Sequence, residues 1–344
     1  MTKNSVIEAV EATKLALEAN SDSKWIVGFS GGKDSSAMLK IIIAAAKKAT
    51  PCPKNISVIY CDTGVENPVL DRYVKSLFSD LDSEFSDSGL PFETHLLKAP
   101  VADRFFVKVI GRGYPTPTNM FRWCTDRLRV NPVASFIKSS SADDAIVCLG
   151  LRKFESQQRD RTLEKHGNEA WQNKTGKGHS YRMFLPILEL SIPDVWDVIF
   201  MKGQPQSLKP LILEKIYRGA SGECPIVKSP MAAPCGSGRF GCWTCTVVRK
   251  DKSMIALIDD GHKDLEPYLK FRNWLAVIRD EPERRWKKRR NGVAGMGPLT
   301  LKTRKEILTK LDALAQQVGE ELISPEERNV IQELWLLDRD TEEA

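Results

Sequence analysis

The chain has 344 residues, 42% of them apolar and 28% charged, with a formal net charge of +6. No apolar run reaches the roughly 18 residues of a membrane span, and Met1-Thr2-Lys3-Asn4-Ser5 lacks an apolar signal segment, so the expectation is a cytoplasmic protein of one large domain or two. Residues 320–344 carry nine acidic and two basic side chains, which leaves +13 on the rest. That balance suits a polyanionic partner, but an ATP site also needs positive charge. Eight cysteines without secretory context argue for free thiols or metal ligands rather than disulfides.

Residues 5–19 read as an amphipathic helix, and Trp25 to Phe29 as a short buried strand. The strand runs into Ser30-Gly31-Gly32-Lys33-Asp34-Ser35-Ser36, and a helix is predicted from Ser35 to Lys48. Glycines between strand and helix let a ligand approach the backbone, and the helix N-terminus favours an anion. The hydroxyls of Ser30, Ser35 and Ser36 add donors and Lys33 a point charge, so the stretch is a phosphate cradle. It is not a P-loop, because Asp34 follows Gly32-Lys33 and Val27 stands where that motif needs glycine. The order Ser-Gly-Gly-x-Asp-Ser resembles the pyrophosphate loop of N-type ATP pyrophosphatases, which implies cleavage of ATP between its α- and β-phosphates.

A second strand, Ile56 to Cys61, leads into Asp62-Thr63-Gly64, where a carboxylate suits Mg²⁺ or a ribose. A helix over 68–80 precedes a third strand over 92–97; 101–110 read as helical, and Phe121 to Arg129 as the opening of a helix. A fourth strand over 145–151 enters Arg152 to Arg161, where Arg152 and Arg159 suit an α-phosphate because the guanidinium fork donates two bonds at once. Residues 165–180 read as an exposed loop and 183–190 as a fifth strand. Ser191-Ile192-Pro193-Asp194 then reads as the N-cap of a helix to about Met201. Alternating strands and helices imply a parallel sheet covered on both faces, with ligands beyond the carboxyl ends of the strands.

Past Gly203 the pattern changes, which places a boundary near 204. Cys224, Cys235, Cys242 and Cys245 follow the spacing C-x10-C-x6-C-x2-C, and four cysteines suit either zinc or an iron–sulfur cluster. Cys52, Cys61 and Cys148 lie in or beside apolar strands and read as inert core. Arg284, Arg285, Trp286, Lys287, Lys288, Arg289 and Arg290 form a basic run that suits a nucleic-acid backbone, with Trp286 stacking on a base, or a solvated helix face. Apolar positions at Ile307, Leu311, Leu314, Ile331, Leu334 and Leu337 predict helices over 301–339, either packed on the body or open to another subunit.

The loop, Asp62-Thr63-Gly64, Arg122-Trp123-Cys124-Thr125, Gly150-x-Arg152-x-x-Glu155-Ser156-x-x-Arg159, Leu185-Pro186-Ile187 and Asp194-Val195-Trp196 together resemble the phosphoadenylylsulfate (PAPS) reductase family over residues 25–200. The last cysteine is Cys245, so the C-terminal catalytic cysteine of the true reductases has no counterpart. Gly241-Cys242-Trp243-Thr244-Cys245, Phe271-Arg272-Asn273-Trp274-Leu275 and Gly297-Pro298-Leu299-Thr300 extend the likeness to the DndC/SspD-type PAPS-reductase-like subunits of bacterial DNA phosphorothioation. That resemblance implies an adenine nucleotide α-hydrolase-like α/β domain over 1–203 and a cysteine-rich, mostly helical iron–sulfur region over 204–344. It implies ATP, Mg²⁺ and a 4Fe–4S cluster on Cys224, Cys235, Cys242 and Cys245, with DNA, a cysteine desulfurase and other phosphorothioation subunits as partners. Lys33, Asp62, Arg152 and Arg159 become catalytic candidates. Cys124 becomes a candidate sulfur carrier, because Arg122, Arg127 and Arg129 nearby in sequence favour a thiolate.

Overall fold

A computed structural model of the chain describes residues 4–139, 145–153, 164, 167, 169–176, 179–221 and 240–342. Six strands form one sheet: β1 Lys24–Gly28, β2 Ile56–Asp62, β3 Phe92–Lys98, β4 Ala145–Leu149, β5 Trp171–Gly176 and β6 His179–Phe184, in the order β3-β2-β1-β4-β6-β5. β1 runs parallel to β2 and β4, β4 runs parallel to β6, and β5 closes the edge antiparallel to β6. β1 is therefore the strand at which the order of succession reverses, and the crevice beyond its carboxyl end is where an open α/β sheet takes a ligand.

Central strands buried on both faces need continuous apolar sequence. Trp25, Ile26 and Val27 of β1 and Ile56 and Val58 of β2 are inaccessible to solvent. Helices α1 (Asn4–Ala19), α2 (Lys33–Ala46), α3 (Pro68–Ser88), α4 (Asn131–Ser139), α5 (Ile192–Phe200) and α6 (Pro210–Ser221) accompany the sheet. α2 packs against α1 and α5 and is buried along most of its length. Even Lys40 of α2 is enclosed, and its ammonium donates to the carbonyls of Ile199 (3.2 Å) and Met201 (2.6 Å) at the end of α5. A cation there meets the negative end of a helix dipole. The α5 cap follows the sequence: the Ser191 hydroxyl accepts from the Asp194 amide, and the Asp194 carboxylate accepts from the Ser191 amide.

The expected α/β class with a helical C-terminal region is the one observed. Residues 165–180 differ from expectation, because Trp171–Gly176 is a strand. Its polar composition suits an edge, and its anchor is one side chain: Trp171 packs at 4.6 Å on Phe184 and at 6.4 Å, edge to face, on Trp25. The strand expected over 183–190 begins at His179 and ends at Phe184, and Pro186 to Glu189 form turns.

Two compact units make up the chain, and neither is continuous in sequence. The first takes Met1–Tyr60, Val69–Leu97 and Ala134–Arg239; the second takes Cys61–Pro68, Lys98–Val133 and Phe240–Ala344. Helices α7 (Lys252–Asp259), α8 (Glu266–Ile278), α9 (Leu301–Val318) and α10 (Pro325–Glu342) belong to the second unit. There α9 and α10 hold the segment from Val101 to Gly111, a 3₁₀ turn at Val101–Asp103 followed by a wider π-helical turn at Val107–Gly111. Arg304, fully buried, donates to the Gly111 carbonyl (2.6 Å) and to Asp338 (2.8 Å), and the Trp335 indole donates to the Ile110 carbonyl (2.8 Å). Ile307, Leu311, Leu314, Ile331 and Leu334 are buried, whereas Leu336 and Leu337 are exposed. Among the described residues no helix is long and apolar enough to cross a membrane.

Candidate functional site

In the first unit, the Phe29 amide donates to the Ile59 carbonyl at 2.8 Å and carries the pairing one residue beyond β1. The chain then turns at Gly31, whose φ of 74° is left-handed. A Cβ there would lie 2.0 Å from Val74 Cγ2, so both the backbone angle and the space demand glycine. Gly32 stands at the N-cap of α2 and, having no side chain, gives the first turn no cap of its own. The Ser35 hydroxyl braces the loop by donating to the Gly32 carbonyl (2.9 Å) and accepting from the Ser30 amide (3.2 Å). Ser36 Oγ is buried without a partner. A buried hydroxyl is normally satisfied, so this one fits a site meant for an acceptor such as a phosphate oxygen.

The charges of the loop bind one another. Lys33 Nζ lies 3.4 Å from Asp34, and Arg152 donates through Nε to Asp34 (2.5 Å) and through Nη1 to the Leu190 carbonyl (3.3 Å). Gly150 permits this approach, since a Cβ on it would stand 3.0 Å from the Asp34 carbonyl. Lys33, Asp34 and Arg152, far apart in sequence, thus form one buried group, as strand-end residues of a parallel sheet can.

In the second unit, Asp62 turns on itself, accepting from the Gly64 amide at 2.9 Å with Lys98 Nζ 3.5 Å away. Its neighbours lead to sulfur. Thr63 Oγ1 donates to Glu66 (3.0 Å) and lies 3.9 Å from Cys242 Sγ, while Arg129 donates to the same Glu66 oxygen at 2.7 Å. The Trp243 amide donates to the Val65 carbonyl (2.9 Å), and the Cys245 amide closes a turn on the Cys242 carbonyl (2.9 Å). Trp243 is sandwiched by Phe106, Tyr268 and Phe271. Arg272 of α8, almost wholly buried, gathers the carbonyls of Cys245 (2.9 Å), Val248 and Arg249 (3.0 Å) in one fork.

Cys124, Cys242 and Cys245 stand close enough for an ionised thiol to repel the next. Burial is the main effect on Cys124, pushing its thiol up, with Cys245 adding to it. Burial pushes Cys242 far above the usual thiol range, and Glu66 adds to that. This corrects the expectation that arginines favour a Cys124 thiolate. Arg122 binds Asn119, Arg127 binds Asp103, and Arg129 binds Glu66. Sequence adjacency did not convert into electrostatic contact. The grouping of Cys124 with the Cys242-x2-Cys245 turn is the feature that spacing alone missed. No sequence signal marked it beyond the shared residue type.

Cys224, Cys235 and Arg159 lie outside the described residues. Among the described residues no three His, Cys, Asp or Glu side chains are arranged to hold one metal ion. The donor set of the second unit nevertheless fits a thiolate-bound centre. Burial holds the Cys124 and Cys242 thiols in the protonated form, and a bound cation would compensate the ionisation that burial opposes. Thr244 Oγ1, between the two cysteines, is buried without a partner and would find an acceptor in sulfur. Cys148 is fully buried in β4 with its thiol pushed up by burial, and burial likewise pushes Cys61 up to about 11.

The basic run forms an irregular antiparallel ribbon rather than a helix face, with bridges Arg285 to Leu299 and Lys288 to Ala294. Three of its cations are internal ties. Arg284 binds Glu281 and Glu306, Arg285 binds the carbonyls of Gly297 and Arg279, and Arg290 binds Asp338 and the Arg112 carbonyl. Arg290 also lies over one face of the Trp286 ring at 5.3 Å. Lys287, Lys288 and Arg289 are exposed.

One unit is an α/β sheet whose glycine loop follows the central strand, and the other is mostly helical and carries the cysteine turn. The chain belongs to the phosphoadenosine phosphosulfate reductase domain family, which it matches over residues 24–248. Two curated relatives are uncharacterized proteins of Methanocaldococcus jannaschii. MJ0066 is 26% identical over 180 residues, 52% of this chain and 32% of that protein. MJ0973 is 24% identical over 252 residues, 73% of this chain and 46% of that protein. The alignments therefore cover less than half of the length of either relative. Among solved structures it is similar to an FMN adenylyltransferase of Candida glabrata bound to FMN and an ATP analogue, at 12% identity and a TM-score of 0.40 over 88% of this chain and 82% of that one. It is also similar to the U34-tRNA thiolase NcsA of Methanococcus maripaludis with its 4Fe–4S cluster, at 14% identity and a TM-score of 0.38 over 81% and 80% of the two chains. Likenesses this distant define no substrate.

Proposed function

We propose that this chain is an ATP pyrophosphatase of DNA phosphorothioation, adenylylating a backbone phosphate so that sulfur can replace a non-bridging oxygen. The observation that supports this reading is that one chain carries both halves of the chemistry. A glycine-turned helix start, whose N-cap residue offers no side-chain cap, holds an orphaned Ser36 hydroxyl, and a separate unit gathers Cys124 with Cys242 and Cys245.

A phosphodiester oxygen is a poor leaving group and must be activated before sulfur displaces it. Its attack on the α-phosphate of ATP forms a new phosphorus–oxygen bond and breaks the bond to the β-phosphate. The loop of Gly31, Gly32, Lys33, Ser35 and Ser36 holds the departing pyrophosphate, and Arg152 and Arg159 are the candidates for the charge on the α-phosphate. Asp62 is the candidate ligand for Mg²⁺, which would supply Lewis acidity. The outer sulfur of a persulfide, delivered by a cysteine desulfurase, then attacks the activated backbone phosphorus and expels AMP. A thiol reductant cleaves the remaining sulfur–sulfur bond, giving the phosphorothioate and a disulfide.

Cys124 is the candidate carrier of the persulfide. Cys242 and Cys245, with Cys224 and Cys235, are the residues that would hold an iron–sulfur cluster. When bound, such a cluster supplies redox or sulfur-donating chemistry, while Arg272 and the Trp243 sandwich fix the turn that presents its ligands.

The experiment is mass spectrometry of nucleosides from DNA and tRNA of cells with and without the protein. Loss of phosphorothioate dinucleotides is the expected result. Loss of thionucleosides from tRNA instead would move the same chemistry to RNA.

A further inference from the structure

The reading above makes the first amides of α2 the donors to pyrophosphate, yet one of them is already engaged. The Lys33 amide donates to the phenolic oxygen of Tyr217 at 3.0 Å, across 184 residues of sequence. Tyr217 lies on α6, almost wholly buried, with its ring edge-on to Trp196 at 5.7 Å. Lys33 Nζ rests 5.1 Å from the centre of the same ring. A Cβ on Gly32 would stand 3.0 Å from the Tyr217 oxygen, so the missing side chain leaves the space that this hydroxyl enters. One polar oxygen thus sits where a helix N-terminus with no side-chain cap would bind an anion, beside the lysine that would neutralise it.

We infer that Tyr217 is a stand-in for the phosphate: its hydroxyl satisfies the Lys33 amide and must leave when pyrophosphate or ATP binds. The inference rests on the loop being the pyrophosphate site. An orphaned buried amide is costly, and a surrogate acceptor for it stabilises the fold of the loop. The bond then competes with the ligand, and binding is weaker than the loop alone would give. Lys33 already rests against the Tyr217 ring and Asp34, contacts it would have to exchange for the phosphates.

The test is Tyr217→Phe, which keeps the ring against Trp196 and Lys33 and removes only the hydroxyl. Calorimetric titration with α,β-methylene-ATP and with inorganic pyrophosphate, both with Mg²⁺, compares it with the wild type and with Lys33→Gln. Loss of one competing hydrogen bond predicts binding tighter by about two- to tenfold in Tyr217→Phe. A merely structural tyrosine, or one that itself ligates phosphate, predicts weaker binding. Either that result or an unchanged affinity overturns the inference while leaving the loop reading intact, provided Lys33→Gln weakens binding. Wild-type protein that binds neither ligand, or binding indifferent to Lys33→Gln, removes the loop reading and the inference together.

Discussion

Arg129 donates to Glu66 at 2.7 Å, and that bond ties up the arginine that most resembled a partner for the nearby thiols. Glu66 also accepts from Thr63, whose oxygen lies 3.9 Å from Cys242 Sγ. The carboxylate raises the Cys242 thiol and Arg129 lowers it. Glu66→Gln should therefore bring the Cys242 thiol down and speed its alkylation by iodoacetamide several-fold at pH 8, read by peptide mass spectrometry. An unchanged rate would mean that burial alone governs this thiol.

The pH dependence follows from the same shifts. Burial raises Cys61, Cys124 and Cys242 in the folded protein, Cys61 to about 11. A raised folded value means that the folded state keeps its proton where the unfolded chain, with thiols near ~8.5, loses it. The contribution is complete below that pH and lost as pH climbs toward the folded values. The metal-free protein should thus lose melting temperature between pH 8 and 10.5, and Cys61→Ala should flatten the loss. Binding of a thiophilic metal such as zinc must displace these protons, so its apparent affinity should rise with pH and calorimetry should detect proton release.

Arg272 is predicted to hold the cysteine turn. Its fork reaches the carbonyls of Cys245, Val248 and Arg249 from a position almost without solvent contact. Arg272→Leu leaves three carbonyls without that donor and should cost ~3 kcal/mol or more in urea unfolding, at about 1 kcal/mol or more per unmet group. Zinc uptake by Cys242 and Cys245 should weaken alongside. Full stability in the variant would show that water replaces the fork.

Nucleic-acid binding, if it uses the ribbon, should depend on its outward cations alone. Changing Lys287, Lys288 and Arg289 to Ala should make the slope of log K against log salt shallower by about 2.7 for duplex DNA, at ~0.9 per phosphate. Arg284→Ala should leave the slope unchanged and lower the melting temperature instead, because Arg284 binds Glu281 and Glu306. A slope unmoved by the triple change removes the ribbon from the interface.

Much of the first unit was legible because its rules are local. Trp25 to Phe29, the glycine turn and the Ser191 cap each announce themselves within a few residues, and the structure carries all three. The edge strand Trp171–Gly176 was missed because its stability comes from Trp25 and Phe184, distant in sequence, and not from its own composition. Charge partners failed for the same reason. Arg129, Arg284 and Arg290 look free in the sequence, but carboxylates at 66, 306 and 338 meet them in the second unit. Tyr217 carried no signal at all, since a lone tyrosine on an amphipathic helix reads as core until its hydroxyl is seen on the Lys33 amide.

The most direct test follows two batches of ATP, one labelled with ³²P at the α-phosphate and one at the γ-phosphate, incubated with the protein, Mg²⁺, DNA, a cysteine desulfurase, cysteine and a thiol reductant. The account predicts AMP and pyrophosphate in equal amounts, formation that depends on DNA, and loss of both products in Lys33→Gln. ADP and orthophosphate as products, or no turnover with every component present, would contradict it.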